Sequence, residues 1–232
     1  MTFPNLLSYA RNENQLELDS ILGCGLPWLR LDLTCPQFSQ QVLDAAATQS
    51  TNWRSQWNVA APLYQVRNWN GQLLFGPEQN DKWDEIIKNG PTINDEDAIC
   101  KKYRQDLRFT WRVDSDHPVR QWVNTFLDDT DINIVNYYVL PPGGYLHPHY
   151  DLCAGNKWLN KIYVAIKWPQ GAELGFLDWG NVPIQESDVL LINNYLYPHW
   201  ALNNSTENRI VLDIGCNLDS IQNLIKQSFL KR

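Results

Sequence analysis

From Ile132 onward the chain is a succession of short apolar and β-branched runs: INIVNYYVL, KIYVAIKW, AELGFLDW, NVPIQ, DVLLIN, HWALN and RIVLDIG. Between them stand Pro-Pro-Gly-Gly, Pro-Gln-Gly, Trp-Gly-Asn and Asn-Asn-Ser-Thr, residues that break periodic structure and favour turns. Runs this short leave no room for helices of ordinary length, and their even spacing suits a β-sandwich or jelly roll.

The first half has a different texture. Trp28 to Leu33 (WLRLDL) alternates like a half-buried strand, and Pro36 opens a helical run, PQFSQQVLDAAATQ. Asn70-Gly71, between two apolar arms, predicts a tight hairpin. Helical pieces are expected at Gln79–Lys88, Asp95–Gln105 and Val119–Leu127, whereas LRFTWRV reads as a strand. At the other end, Ile221, Leu224, Ile225 and Phe229 share one face of a closing helix. No repeat or linker divides the 232 residues, so one domain is expected. It has a mixed α/β part at 1–131 supporting the core and the substrate pocket, a β-core at 132–215, and a C-terminal helix at 216–232.

Composition excludes several classes. A net charge of −7 without any Lys/Arg-rich run argues against nucleic acid as partner. The opening MTFPNLLSYARNENQ has neither a basic leader nor an apolar run, and no stretch reaches the roughly 18 apolar residues of a membrane span. A soluble, cytoplasmic protein is therefore expected, its five dispersed cysteines reduced and mostly buried. Eleven Trp and ten Tyr serve either a core or a ligand-gripping cleft.

The chemistry concentrates in few residues. In His147-Pro148-His149-Tyr150-Asp151, the pair His149-x-Asp151 would point to one side of a strand. His199 follows Asp151 by 48 residues, and two imidazoles with one carboxylate form the facial triad that leaves positions open on non-haem Fe(II). Arg209, ten residues on, is placed to return on a neighbouring strand, and its guanidinium fork clamps a carboxylate bidentately. Four His and 18 Asp would give a chance His-x-Asp about 0.3 times; requiring the later His and Arg lowers that to about 0.02.

That order, within LPPGGYLHPHYD, VAIKWPQGAEL and HWALNNSTENRIVLD, resembles the Fe(II)/2-oxoglutarate-dependent dioxygenases, and most nearly their aspartyl/asparaginyl β-hydroxylase-like group. The resemblance covers about residues 132 to 215. It implies a mainly β fold with flanking helices around a double-stranded β-helix, a jelly-roll, cupin-like core. It implies that His149, Asp151 and His199 bind Fe(II), that Arg209 holds the distal carboxylate of 2-oxoglutarate, and that Lys161 or Tyr163 assists. His147 and Trp200 are candidates for the substrate wall. The animal aspartyl hydroxylases have Gly where this chain has Asp151; a retained carboxylate favours oxygen insertion over halogenation.

The expected reaction is hydroxylation of a C–H bond on an amino-acid side chain, free or in a peptide or protein, of Asp, Asn or Pro-like type. It consumes O2 and 2-oxoglutarate and releases succinate and CO2. Two alternatives stand beside it: a cupin-like protein that binds metal or a small ligand without oxidising it, and a demethylase using the same iron centre.

Overall fold

The run RIVLDIGC is buried along its whole length, as a strand covered on both faces is. The computed structural model, which describes residues 26–49, 66–67, 70–78, 108–149, 161–194, 197–216 and 218–230, places it in the middle of a seven-stranded sheet. Numbered along the chain, the described elements are β1 (Trp28–Arg30), α1 (Gln40–Gln49), β2 (Val66–Arg67), β3 (Asn70–Pro77), β4 (Phe109–Trp111) and α2 (Pro118–Val123). Then come β5 (Ile132–Leu140), β6 (Tyr145–His149), β7 (Lys161–Lys167), β8 (Ala172–Phe176) and β9 (Gly180–Asn181). Last are β10 (Val189–Ile192), β11 (His199–Asn203), β12 (Arg209–Cys216) and, after a 3-10 turn, α3 (Gln222–Leu230).

The large sheet runs β1-β10-β7-β12-β5-β3-β4 and the small one β2-β6-β11-β8-β9, with every pairing antiparallel. From β5 to β12 the chain passes from one sheet to the other and back, so that β10-β7-β12-β5 faces β6-β11-β8-β9. This is the jelly-roll winding of a double-stranded β-helix, and the fold class read from the sequence holds.

Alternation along the large sheet gives it two cores. Val135, Ile162, Val164, Leu191, Leu212 and Ile214 point outward, under Ala46 of α1, Val119 and Trp122 of α2, and Ile225 of α3. Tyr138, Tyr163, Leu190 and Val211 point inward, against Leu174 and Phe176 of the small sheet. The helices thus seal the back of the sheet, and the space between the sheets is left to build a site.

The transfer from β5 to β6 is a tight turn in which the Gly144 amide donates to the Pro141 carbonyl at 2.9 Å. Pro142 fixes one central position, and Gly143, at φ 71, takes the other, where a side chain would be strained. Proline and glycine therefore deliver β6 to the opposite sheet.

Two expectations of local structure are corrected, and others fall outside the described residues. Asn70 and Gly71 do not turn a hairpin: they open β3, paired with Val139 and Tyr138 of β5, while β2 lies in the other sheet. Pro36 does not start α1, which begins at Gln40 with Ser39 before it, the Ser39 Oγ accepting from the Val42 amide at 3.4 Å. The helices expected at Gln79–Lys88 and Asp95–Gln105 lie outside the described residues, as do Cys24, Cys100 and Cys153. Cys35 and Cys216 are free thiols in the outer core. No helix among the described residues is long and apolar enough to cross a membrane.

Candidate active site

Strand β6 contains a proline, which cannot donate to a sheet ladder, and the chain accommodates it with a bulge. His199 pairs with His149, and Ala201 with Leu146, so Trp200 of β11 faces two residues, His147 and Pro148. The extra residue resets the alternation. Without it His149 would face away from Leu146; with it both line the cleft between the sheets. The sequence His147-Pro148-His149 therefore aims the second imidazole inward.

His149 and His199 lie side by side, ring centroids 4.4 Å apart and planes tilted by 46°. His149 Nδ1 is 2.7 Å from the His147 carbonyl oxygen, which can only accept. Nδ1 therefore carries the proton, the tautomer in which Nε2 is the nitrogen able to ligate a metal. Two imidazoles bound at right angles with metal–nitrogen bonds of about 2.1 Å have centroids about 4.6 Å apart. The observed separation fits shared coordination. Asp151, the third expected ligand, lies outside the described residues, and among those described no cluster of three or more His, Cys, Asp or Glu is assembled.

On the facing sheet, Arg209 and Asp213 of β12 occupy alternate positions, and Asp213 pairs with Tyr163 of β7. All three line the same cleft, together with Lys161, Tyr138 and Asn194. Arg209 is 3% exposed and its guanidinium donates to the Tyr163 hydroxyl oxygen. Its Nε is buried with no hydrogen-bond partner among the described residues. Burial pulls the Arg209 pKa down, with Tyr163 and Asp213 opposing the shift. Burial pushes the Tyr163 phenol up, with Arg209 countering it, so the hydroxyl keeps a proton to donate. Lys161 turns to Asp213, Nζ to Oδ2 3.3 Å. The large-sheet side of the cleft thus holds two cations and one carboxylate in a chain of net charge −7. A buried cation with a donor that has no partner among the described residues can accept an anion.

The structure brings His149, His199, Arg209, Lys161 and Tyr163 into one cleft. Two other expectations change. Trp200 does not line it: alternation turns the residue to the far side of β11 from His199, where its indole covers Gly175 so closely that an added Cβ would sit 2.3 Å from the ring. The His147 side chain is exposed, and what this residue brings to the site is its carbonyl. Asp213 was not foreseen, although its place four residues after Arg209 in an otherwise apolar strand marks it. Trp168, 4.6 Å from its ring centroid to the Arg209 guanidinium, carries no such mark.

Residues 117–217 match the family model of the aspartyl/asparaginyl beta-hydroxylases. That span contains β5 to β12 and every site residue above. The resemblance drawn from the His-x-Asp motif is thus met by a hydroxylase family model over the segment that carries it. No curated protein matches the sequence. Among solved structures, the chain is similar to the viral collagen prolyl hydroxylase of Paramecium Bursaria Chlorella virus-1, with 17% identity over 82% of this chain and 96% of that one, TM-score 0.43. A Pseudomonas putida prolyl-4-hydroxylase shares 14% identity over 86% of this chain and 98% of its own, TM-score 0.39. A 2OG-Fe(II) oxygenase family protein of Burkholderia pseudomallei shares 7% over 70% and 80%, TM-score 0.41.

Proposed function

We propose that the protein hydroxylates a C–H bond of an amino-acid side chain, free or within a peptide or protein, using Fe(II) and 2-oxoglutarate. Asp or Asn side chains are the substrate class that the family description favours. The observation that carries the reading is the opposition across one cleft of two imidazoles at 4.4 Å and a buried arginine with an idle donor. The first pair suits a metal; the second suits a carboxylate.

His149 and His199, with Asp151, would hold the iron, which with dioxygen and 2-oxoglutarate supplies an oxidant for an unactivated C–H bond, succinate and CO2 being released. The His147 carbonyl keeps His149 in the tautomer that presents Nε2. Arg209 and the Tyr163 hydroxyl bind the distal carboxylate, the guanidinium by charge and the phenol by its retained proton. Between Lys161 and Tyr163, the contact with Arg209 supports giving this part to Tyr163. Lys161, tied to Asp213, balances charge beneath it. Leu146, Leu174, Ile192 and Val211 keep the walls apolar, which excludes water and strengthens each polar contact.

The test is an anaerobic titration with Fe(II) and 2-oxoglutarate followed by visible absorbance, then exposure to oxygen and assay of succinate. An absorption band that is lost in His149→Ala, weakened in Arg209→Ala and followed by succinate is expected. Folded, iron-loaded protein giving neither band nor succinate would refute the reading.

A further inference from the structure

Arg209 is held on one side by an aromatic stack whose place in the turn after β7 is fixed by several independent contacts. The Trp168 ring centroid lies 4.6 Å from the guanidinium carbon, and the indole meets Tyr163 edge-on at 6.4 Å and 76°. Trp168 follows Lys167, which pairs with Ile210, so it stands beside Arg209 where β7 ends. Pro169 biases it toward extended backbone, and Gly171, at φ 95, closes the turn. Its amide is 3.3 Å from a Glu186 carboxylate oxygen that accepts from it, and Lys167 is paired with Glu207 at 2.7 Å. Trp168 is not part of the cleft lining, so among the described residues it reaches the site through Arg209 and Tyr163.

A guanidinium stacked on an aromatic face keeps its in-plane donors free while one face is shut to water. One of those donors goes to Tyr163, and Nε is idle. We propose that Trp168 is a positioning residue for the cosubstrate. It sets the plane of the Arg209 guanidinium and desolvates it, so that the fork meets a carboxylate entering the cleft without reorganising. This rests on the assignment of Arg209 to the distal carboxylate of 2-oxoglutarate. Any planar aromatic at this position serves; an aliphatic one does not.

The experiment is anaerobic calorimetric titration of 2-oxoglutarate into Fe(II)-loaded wild type, Trp168→Phe, Trp168→Leu and Trp168→Ala, with separate titration of Fe(II). Tryptophan fluorescence is recorded alongside. Trp168→Ala and Trp168→Leu are expected to bind 2-oxoglutarate about tenfold more weakly and Trp168→Phe within about threefold, with Fe(II) affinity unchanged in all. The fluorescence change of wild type on adding 2-oxoglutarate is expected to shrink in Trp168→Phe although binding persists. Leu preserves most of the apolar volume, so it decides the matter if Ala fails to fold. Leu or Ala binding within twofold of wild type would overturn the inference while leaving the cosubstrate site intact. Failure of wild type itself to bind 2-oxoglutarate would overturn both.

Discussion

Arg209→Met separates the needs of folding from those of function. The substitution replaces a buried cation, 3% exposed, by an uncharged chain of similar length, and leaves Asp213 its contact with Lys161 at 3.3 Å. Replacing buried ionic groups together by apolar side chains of similar volume is often stabilising by about 1–4 kcal/mol, and the figure carries over here because Asp213 keeps its Lys161 partner and is not left as an uncompensated charge. Against this stand the hydrogen bond to Tyr163, about 1 kcal/mol, and the stack on Trp168, about 1 kcal/mol. The ligand-free variant should therefore lie between about 1 kcal/mol less stable and about 2 kcal/mol more stable than wild type, a change in Tm of about −4 to +8 °C for a chain this long. Ligand reverses the order. At a hundred times its Kd, 2-oxoglutarate adds about 2.7 kcal/mol to wild type, roughly 5–11 °C, and nothing to the variant. Calorimetric melting of Fe(II)-loaded protein, with and without 2-oxoglutarate and without oxygen, checks both halves. A variant more than about 1 kcal/mol less stable than wild type, or one whose Tm still climbs with 2-oxoglutarate, would sink the argument that Arg209 is an anion receptor held against the interest of the fold.

Deleting His147 removes the bulge and turns His149 to the other face of β6, so Co(II) or Fe(II) affinity should fall at least about a hundredfold by calorimetry, whereas His147→Ala should stay within about twofold. Gly175→Ala drives a Cβ into the Trp200 indole and should cost about 1–3 kcal/mol in urea unfolding, with Trp200→Phe leaving 2-oxoglutarate affinity unchanged. Burial pushes the Cys35 and Cys216 thiols up to about 12, from 9.0. With the folded pKa raised, stability is full below pH 9 and lost as the pH climbs toward 12, at about 1.4 kcal/mol per pH unit for each thiol. Urea midpoints measured from pH 8 to 10.5 should show this fall, shallower in Cys216→Ala; an unchanged slope would place the thiol outside the core.

The second half of the chain was legible because its signals are local. A run such as DVLLIN between turn residues has few ways to be buried, and Pro142-Gly143 names its own turn. The first half was misread where one local signal serves two structures. Asn70-Gly71 tolerates the torsions of a hairpin, yet the same pair opens a strand once β5 supplies a partner. Trp200 was placed at the site by its neighbour in sequence, although adjacent residues of a strand face opposite ways. Lys161 and Tyr163, both suggested by resemblance, have different partners, Asp213 and Arg209, which only the pairing of β7 with β12 reveals.

The two halves of the site answer to different physical demands. The imidazoles stand on a five-stranded sheet with a proline and a bulge at the site, so their aim depends on one local irregularity. The proposed anion receptor, Arg209 with Tyr163, stands on β12 and β7, central strands sealed behind by helices, because a buried guanidinium needs support from every side to remain charged and oriented. Substitutions around β6 should therefore change metal affinity while leaving global stability nearly intact. Those around β12 should shift stability and cosubstrate binding together, since Arg209, Asp213 and Val211 share a strand with the outer-core residues Leu212 and Ile214. The chemistry sits where one sheet is adjustable and the other is not.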